Sequence, residues 1–248
     1  AHQRHPELVI GVGHVDLRSN GYARRIRTLI EEGALGTLAS VEVTVAHSGG
    51  LRMQPGDWRA DPAANPGGML FQCGVHKIHE MMYYFGRVSR VFASMRYDVH
   101  GTGTADTAHC QLWFENGLSG TLNAYHVTPY RQAISIYGTD ATLYLEHRFF
   151  DEGSTLYRQN TQNNEKEPRE LVEPDASSDT TGNLRSFYHA IRSGEPCYPS
   201  LIDAVNVVDV VFAAERSART GTIVDIEPKH PNDLSRSSAL DACRTMQE

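Results

Sequence analysis

The segment Pro66–Gly86, PGGMLFQCGVHKIHEMMYYFG, organises the interpretation of the whole chain. It predicts one helix, because it follows a Pro-Gly-Gly turn, ends at Gly86 and contains no other helix breaker than Gly74. At about 100° per residue, Gln72, His76 and His79 fall within about 60° of arc. A second side, about 80° wide, is apolar and suits a protein core: Phe71, Val75, Ile78, Met82 and Phe85. The helix therefore has a core side and a narrow polar side that can handle protons.

The polar side has two other interpretations. It could be an ordinary solvated face. Such faces are usually rich in Lys and Glu, however, whereas this one concentrates imidazole and amide groups. His76, His79 and Glu80, together with His47, could also be metal ligands, since helical histidines three residues apart can share one ion. No third ligand has a reliable spacing, and the pattern is not H-E-x-x-H, so we predict no metal site.

Composition excludes several classes of protein. The chain has 248 residues, a net charge of −7 and no Lys/Arg cluster, which argues against binding to nucleic acid or to an anionic membrane. No apolar run approaches the roughly 18–20 residues of a membrane span, and no signal-peptide pattern opens the chain. The four cysteines show no disulfide or metal spacing, which predicts free thiols in the cytoplasm: Cys73, Cys110, Cys197 and Cys243.

The N-terminal segment Leu8–Val15, LVIGVGHV, predicts a short buried strand. Its G-V-G-H-V-D pattern resembles the start of a dinucleotide fingerprint, but Asp16 occupies the position of the third glycine. No strand–turn–helix unit with an acidic residue about 20 positions later follows. The sequence Gly101–Asp106 departs from the fingerprint in the same way. We therefore predict no nucleotide-binding loop in this chain, and we expect a chain that starts at Ala to be part of something longer.

The first half continues with an amphipathic helix at Ser19–Glu32 and a half-buried strand at Leu38–His47. A Gly- and Pro-rich loop, Ser48–Asn65, precedes the central helix, and loops of this length are usually functional or disordered. Trp58 and Arg59 in its middle favour an ordered loop. Trp58 could stack on a sugar or fill a gap, and Arg59 could bind substrate or pin the loop through a neighbouring carboxylate.

The second half changes to a period of two residues, which predicts strands: Val88–Tyr97, Thr107–Phe114, Leu118–Val127, Gln132–Tyr137, Ala141–Glu146 and, more weakly, Thr155–Gln159. A polar excursion, Asn160–Ser178, leads to two helices, Thr181–Ser193 and Ser200–Thr220. A last strand at Thr222–Ile226 precedes a polar tail. The predicted fold is α+β, with a mostly antiparallel, open-faced sheet of about six strands and helices on one face. Leu112, Phe114, Leu122 and Tyr125 are expected on the other face, which favours self-association as a homodimer or homotetramer.

Four motifs together resemble the Gfo/Idh/MocA oxidoreductase family. They are G-x-L-G at residues 33–36, D-W-R-x-D-P at 57–62, G-G-x5-G-V-H-x-I-x7-G at 67–86 and S-A-R-T-G-x-x-V-D-I at 217–226. The resemblance extends over most of residues 8–226. It implies that residues 1–14 are the last strand of a dinucleotide-binding domain, residues 15–228 a substrate and oligomerisation domain, and residues 229–248 a polar tail. The family's N-terminal Rossmann domain would then be absent from this chain.

The resemblance also assigns roles to side chains. His76 lies at the position of the family's catalytic histidine, which relays a proton from the reacting hydroxyl. Gln72 occupies a position where many members have Asp, and an amide can hold a hydroxyl but cannot take its proton. His79 lies where members often have a substrate-contacting Asp. His47 and Tyr130 lie near positions that line the sugar pocket, with Trp58 and Arg59 as further substrate-binding candidates.

Members of this family use NAD or NADP to oxidise a hydroxyl of a sugar, inositol or similar polyol, or to catalyse the reverse reduction. The resemblance therefore implies an NAD(P)-dependent dehydrogenase whose cofactor-binding residues lie outside this chain. Two alternatives stay open at this point. His76 and His79 could serve a cofactor-independent or metal-dependent sugar isomerase or dehydratase. The chain could also be a non-catalytic module for sugar binding or oligomerisation. His126, which follows an apolar strand, could face the same cleft.

Overall fold

The computed structural model describes residues 5, 7–147, 153–163, 169–175, 181–227 and 229. These residues form a nine-stranded sheet in the order β8-β7-β6-β5-β1-β4-β3-β2-β9. The strands are β1 Leu38–Ala46, β2 Val88–Arg96, β3 Thr107–Phe114, β4 Ser119–Tyr125, β5 Arg131–Gly138, β6 Ala141–His147, β7 Ser154–Asn160, β8 Glu170–Val172 and β9 Val224–Asp225. The helices are α1 Gly21–Glu31, α2 Val75–Phe85, α3 Gly182–Ser193 and α4 Leu201–Thr220.

The predicted α+β class and the mostly antiparallel sheet are confirmed, but the sheet has nine strands rather than about six. The additional strands lie toward the edges. Strand β9, with two residues, lies within the last strand predicted at Thr222–Ile226, whereas β8, with three residues, is too short to show a period of two and was not predicted. Both are defined by the hydrogen bonds they make to β7 and β2. In the centre, β1 pairs with β4 in parallel and with β5 antiparallel.

Alternation along the central strands builds the core. In β1, Val41, Val43 and Val45 are buried, and Val43 lies opposite Leu122 of β4 and Ile134 of β5. Buried side chains of α1, α2 and α4 belong to the same apolar cluster. Three helices therefore cover one face of the sheet, as predicted. The helix α4 begins with a capping box, in which Ser200 and Asp203 each satisfy the backbone N–H of the other.

The segment before α2 is not the uniform α-helix predicted from the sequence. Residues Leu70–Gly74 form a π-helical turn, and α2 begins only at Val75. A π-turn holds more residues per turn than an α-helix, so the angular spacing calculated for Gln72 and His76 does not apply across it. Such turns occur frequently at functional sites. Nothing in the residue pattern distinguishes this turn from an α-helix, and hence the prediction missed it.

Glycine is required at the start of this segment. Gly68 has φ +56°, and a Cβ there would lie 2.2 Å from the carbonyl oxygen of Ala105. The preceding residue, Gly67, donates its backbone N–H to Oε1 of Glu215 on α4 at 2.6 Å. The Pro-Gly-Gly turn therefore fixes the start of the histidine-bearing segment against both the sheet side and α4.

The predicted composition of the open sheet face is wrong. Leu112, Phe114 and Leu122 are only 0%, 2% and 0% exposed, since they lie on the helix-covered face. Tyr125 is on the opposite face of its strand, where its ring lies 5.4 Å from that of His109. The prediction combined residues from both faces, although the strand period of two separates Leu122 from Tyr125. The open face instead alternates polar residues with aromatic rings.

The N-terminal segment is also different from the prediction. Residues 8–15 run as irregular chain without pairing to a described strand, and Leu8 and Val15 are 56% and 51% exposed. A strand needs a neighbour to satisfy its backbone groups, and the described residues offer none. On α3, the large side chains Leu184 and Tyr188 are 72% and 65% exposed.

Several predictions lie wholly or partly outside the described residues. These are the polar tail beyond residue 229, Cys243, and the portions of predicted segments that fall on residues 148–152, 164–168 and 176–180. Cys73, Cys110 and Cys197 are free thiols. None of the helices in the described ranges is long and apolar enough to cross a membrane.

Candidate functional site

Three imidazoles meet at the start of α2. The ring centre of His14, from the N-terminal segment, lies 5.4 Å from that of His76 and 5.2 Å from that of His79. His14 and His79 are buried, with 8% and 4% exposure, whereas His76 is exposed. The helical spacing of three residues brings His76 and His79 to neighbouring positions, as predicted. His76 is therefore the member of this cluster that a substrate can reach.

The surroundings keep these imidazoles neutral. Burial lowers the pKa of His14 to about 4, with further lowering by His79 and His76. Burial is also the main cause that lowers the pKa of His76. The charge of Lys77 lowers this pKa further, whereas the charge of Glu80 raises it. The pKa of His79 is lowered mainly by burial. At neutral pH each ring is consequently neutral and has a nitrogen lone pair available as a proton acceptor.

His79 faces away from the exposed side of the cluster. Its Nε2 lies 3.5 Å from the hydroxyl of Tyr198, and it lines a cavity of about 450 Å³ between α1, α2 and α4. Burial holds the pKa of Tyr198 well above its usual range, so its hydroxyl stays protonated. The substrate contact predicted for His79 stays a prediction.

Lys77 and Glu80 form a buried ion pair on α2, next to the two histidines. Nζ of Lys77 lies 2.8 Å from Oε2 of Glu80, and the hydroxyl of Tyr84 donates to Oε1 at 3.1 Å. Their side chains are 7% and 8% exposed. The ammonium and the hydroxyl together keep the pKa of Glu80 below its usual range despite its burial. Glu80 is thus committed to Lys77, and within the described ranges no group of three or more His, Cys, Asp or Glu is arranged to hold a metal ion.

A second cluster gathers most of the other predicted residues. The ring centres of His47 and His126 are 4.9 Å apart, and Nε2 of His47 lies 3.6 Å from Sγ of Cys73. Burial lowers the pKa of His126 to about 4, and it also lowers the pKa of His47. Burial raises the pKa of the hydroxyl of Tyr130, and the nearby Cys73 raises it further. His47, His126 and Tyr130 are therefore brought together at the π-helical turn.

The loop that carries Trp58 and Arg59 is anchored to the protein through its backbone. The carbonyl oxygen of Arg59 accepts hydrogen bonds from Nδ2 of Asn65 at 2.8 Å and from Oγ1 of Thr104 at 3.0 Å. The guanidinium of Arg59 lies 4.6 Å from the ring centre of Trp58, which is 49% exposed. No ion pair of Arg59 is found among the described residues, so the loop is pinned by a carbonyl and not by the guanidinium.

The free guanidinium of Arg59 acts on the second cluster. Its positive charge lowers the pKa of both His47 and His126, after the larger effect of burial. It also opposes the rise that burial causes in the pKa of Cys73. Arg59 therefore lies close enough to the second cluster to contribute a positive charge to it.

Gln72 belongs to the π-helical turn between the two clusters. It precedes Cys73, which contacts His47, and it lies four residues before His76. Its Nε2 is buried and has no hydrogen-bond partner among the described residues. An amide donor left unpaired in this way costs free energy unless a ligand or water pairs with it. Gln72 is thus available to bind an oxygen atom at the point where the clusters meet.

The comparisons with known proteins agree with this arrangement. Residues 23–144 match the GFO/IDH/MocA C-terminal domain family. The match to this family covers 122 of the 248 residues. This confirms the resemblance inferred from the motifs. Among curated proteins, none matches the chain.

Several solved structures share the fold of this chain. A provisionally assigned NADPH-dependent oxidoreductase from Desulfitobacterium hafniense DCB-2 is 26% identical, with a TM-score of 0.83 over 90% of this chain and 66% of the other. An aldose-aldose oxidoreductase from Caulobacter crescentus, complexed with glycerol, is 19% identical with a TM-score of 0.77 over 90% and 65%. A levoglucosan dehydrogenase, complexed with NADH and levoglucosan, is 21% identical with a TM-score of 0.74 over 90% and 67%. The chain therefore spans about two thirds of the length of these oxidoreductases.

Three residues of the site were not identified as such from the sequence. His14 was noted only within the G-V-G-H-V-D pattern, Cys73 only as a free thiol, and Tyr198 not at all. The contacts of His14 and Tyr198 with α2 join positions that are 62 and 119 residues apart in the chain. A histidine flanked by glycine after an apolar run was the available signal for His14, but no spacing rule connects it to His76.

Proposed function

We propose that this chain is the substrate side of an NAD(P)-dependent oxidoreductase that oxidises a hydroxyl, or reduces a keto group, of a sugar, inositol or similar polyol. Two observations carry the proposal: the exposed imidazole of His76 with its lowered pKa, and the buried Nε2 of Gln72, four residues earlier, which has no hydrogen-bond partner among the described residues. A base and a hydroxyl-binding group are the two elements that oxidation of a carbinol needs from the protein. The family and the oxidoreductases among the solved relatives support the same reaction class.

In the direction of oxidation, His76 accepts the proton of the reacting hydroxyl as the carbon loses hydride. The nicotinamide, when bound, supplies the hydride acceptor. Gln72 holds an oxygen of the substrate through its Nε2–H and cannot itself ionise. In the reverse direction, the imidazolium of His76 returns the proton to the keto oxygen. The lowered pKa of His76 favours the neutral, proton-accepting form at neutral pH.

The second cluster provides the remaining substrate contacts in this proposal. His47, Tyr130 and the guanidinium of Arg59 offer hydrogen-bonding groups for further hydroxyls. Trp58, which is 49% exposed, offers an aromatic face for the C–H side of a sugar ring. The alternation of polar groups with an aromatic surface fits a polyol better than an apolar ligand.

The described residues do not fit a dinucleotide. Residues 8–15 run as irregular chain and lead to a short 3-10 helix, Leu17–Ser19, rather than to a Gly-rich turn at the start of a long helix. We therefore assign NAD or NADP to a dinucleotide-binding unit that packs against this domain. The main cofactor contacts belong to that unit, and this chain contributes the proton-handling groups.

The open face of the sheet supports the further proposal that the protein is a homodimer or homotetramer. Aromatic rings among polar residues on a broad sheet face suit an interface with a second copy. Trp113, Tyr125, Tyr137 and Tyr144 are half-buried there. The three free cysteines are compatible with the reducing cytoplasm as the place where the protein acts.

The test uses the protein together with its dinucleotide-binding unit. NAD⁺ and NADP⁺ are each offered with a panel of sugars, inositols and polyols, and reduction of the nicotinamide is followed by absorbance. We expect turnover with at least one polyol, and a loss of at least about 100-fold in kcat for His76→Ala, since general base catalysis typically contributes that much. His5→Ala is the matched control, because His5 is exposed and its Nδ1 pairs with Glu7 at 3.2 Å. Unchanged turnover of His76→Ala, or isomerisation without any reduction of the nicotinamide, would refute the proposal.

A further inference from the structure

We propose that Arg59 and His47 form a carboxylate-binding subsite, so that the preferred substrate is a polyhydroxy carboxylic acid such as an aldonate. This inference rests on the function proposed above and narrows its substrates. The subsite belongs to the second cluster, where His47 contacts Cys73, three residues before His76. A short polyhydroxy acid can therefore reach the subsite with its carboxylate and His76 with one of its hydroxyls.

The aspartates on either side of Arg59 in the sequence do not pair with it. Oδ2 of Asp57 accepts the backbone N–H of Gln54 at 2.9 Å, and Oδ1 of Asp61 accepts that of Ala63 at 2.9 Å. Both carboxylates thus shape the loop itself. Since Arg59 forms no ion pair with any described residue, its guanidinium is left to pair with a carboxylate from outside the chain.

The carboxylate of the second cluster, Asp106, is also committed to the protein. Its two oxygens accept the backbone N–H groups of Val99 at 2.7 Å and of His100 at 2.9 Å, and it is fully buried. Asp106 raises the pKa of His126, whereas Arg59 lowers it, after the larger effect of burial. The formal charges that act on His126 are therefore one carboxylate enclosed by the protein and one guanidinium open to solvent.

The loop fixes the place of Arg59 and leaves its N–H groups accessible. Its carbonyl oxygen is held by the buried side chains of Asn65 and Thr104, at 2.8 Å and 3.0 Å. The guanidinium lies 4.6 Å from the ring centre of Trp58. Stacking on an aromatic ring uses the face of a guanidinium, so the N–H fork at its edge is free for a planar acceptor.

His47 presents an N–H donor to the same subsite. The backbone N–H of Gly49 donates to Nδ1 of His47 at 2.9 Å, so Nδ1 carries a lone pair. Burial and then Arg59 lower the pKa of this half-buried ring, which is consequently neutral at neutral pH with its proton on Nε2. Nε2 lies 3.6 Å from Sγ of Cys73, which is only a weak acceptor. A carboxylate oxygen is a stronger acceptor for this N–H.

A carboxylate fits these groups better than a phosphate or a hydroxyl does. A guanidinium fork matches the two oxygens of a planar carboxylate in a bidentate pair. A phosphate monoester carries about −1.5 to −2 charges at pH 7. The other cation that acts on Cys73 is Lys77, which is already paired with Glu80 at 2.8 Å. One available guanidinium therefore matches one negative charge, and a hydroxyl would leave that guanidinium without a counter-charge.

The first experiment measures binding to the 248-residue chain without a cofactor. Its two tryptophans are Trp58 and Trp113, and the latter lies against Arg90 on the open sheet face. With Trp113→Phe as the background, the fluorescence reports Trp58 alone. Gluconate, galactonate and mannonate are compared with glucitol, galactitol and mannitol, which have a hydroxymethyl group in place of the carboxylate. We expect at least one aldonate to bind at least about 10-fold more tightly than its alditol, since charge-assisted hydrogen bonds are the stronger ones.

Variants test whether Arg59 causes this preference. Arg59→Gln removes the charge and keeps the backbone anchor, and Arg59→Lys keeps the charge without the fork. Arg52→Gln is the matched control, because Arg52 is an exposed arginine of the same loop. We expect the preference to disappear in Arg59→Gln, to fall in Arg59→Lys and in His47→Phe, and to persist in Arg52→Gln. Circular dichroism checks that each variant is folded.

Three results would overturn the inference. They are equal affinities for all three pairs, no binding of any aldonate, and a preference that Arg59→Gln leaves unchanged. Glucitol 6-phosphate is included as a further probe. If it binds more tightly than gluconate and its binding depends on Arg59, the subsite takes a phosphate and the assignment to a carboxylate is wrong.

Turnover with the dinucleotide-binding unit present distinguishes this inference from the proposed function. We expect kcat/KM to be at least about 10-fold higher for an aldonate than for its alditol, and Arg59→Gln to remove this difference mainly by raising KM. Turnover of alditols that equals or exceeds that of aldonates would refute the carboxylate subsite and leave the oxidoreductase function standing. Binding of aldonates that depends on Arg59, without any nicotinamide-linked turnover, would refute the proposed function and leave the subsite established.

Discussion

At the scale of the residue, Gln72 is the departure from the family pattern that can be tested most simply. Its Nε2 is buried, has no hydrogen-bond partner among the described residues and lies in the π-helical turn, four residues before His76. We expect Gln72→Asp to raise the pKa of His76 by about one unit relative to Gln72→Asn, because a nearby carboxylate stabilises the imidazolium. The two variants have the same shape and differ in charge alone, and NMR titration measures both. Identical His76 pKa values would show that residue 72 does not face His76.

At the scale of the element, the position of α2 depends on the turn that precedes it. A Cβ at Gly68 would lie 2.2 Å from the carbonyl oxygen of Ala105, whereas one at Gly86, also at positive φ, would meet no atom within 4 Å. We expect Gly68→Ala to lower the free energy of unfolding by about 2 to 4 kcal/mol and Gly86→Ala by about 1 kcal/mol. Urea unfolding measures both losses, and the difference between them is the free-energy cost of the steric clash at residue 68. Equal losses would mean that the turn is not held against residue 105.

At the scale of the whole molecule, buried histidines should make stability depend on pH. His14, His126 and His147 each have a pKa lowered from 6.5 to about 4, mainly by burial. Between these values the unfolded chain binds protons that the folded chain does not, so stability is full above pH 6.5 and falls as the pH decreases toward 4. We expect a loss of up to about 1.4 kcal/mol per pH unit for each histidine. Urea unfolding between pH 7 and 5 should show this slope, which His126→Gln should reduce; a flat profile would contradict the burial of these rings.

Sequence patterns predicted those features of the molecule that depend on local periodicity. The strands β1 to β6, the cap of α4 and the neighbouring positions of His76 and His79 all follow from repeats of two or about 3.6 residues. The contacts of His14 with His76 and of Tyr198 with His79 bring together distant parts of the chain, and no local pattern encodes them. The π-helical turn at Leu70–Gly74 was missed for a related reason, since tertiary packing and not residue type selects it.

The most direct test of the central claim is the pH dependence of kcat/KM for polyol oxidation, measured with the dinucleotide-binding unit and NAD⁺ or NADP⁺ present. With His76 as the base, kcat/KM should rise with pH through one ionisation below 6.5 and then level off, because the pKa of this imidazole is lowered by its surroundings. That ionisation should disappear in His76→Ala, together with most of the activity. An unchanged profile in His76→Ala would contradict the assignment of His76 as the proton acceptor.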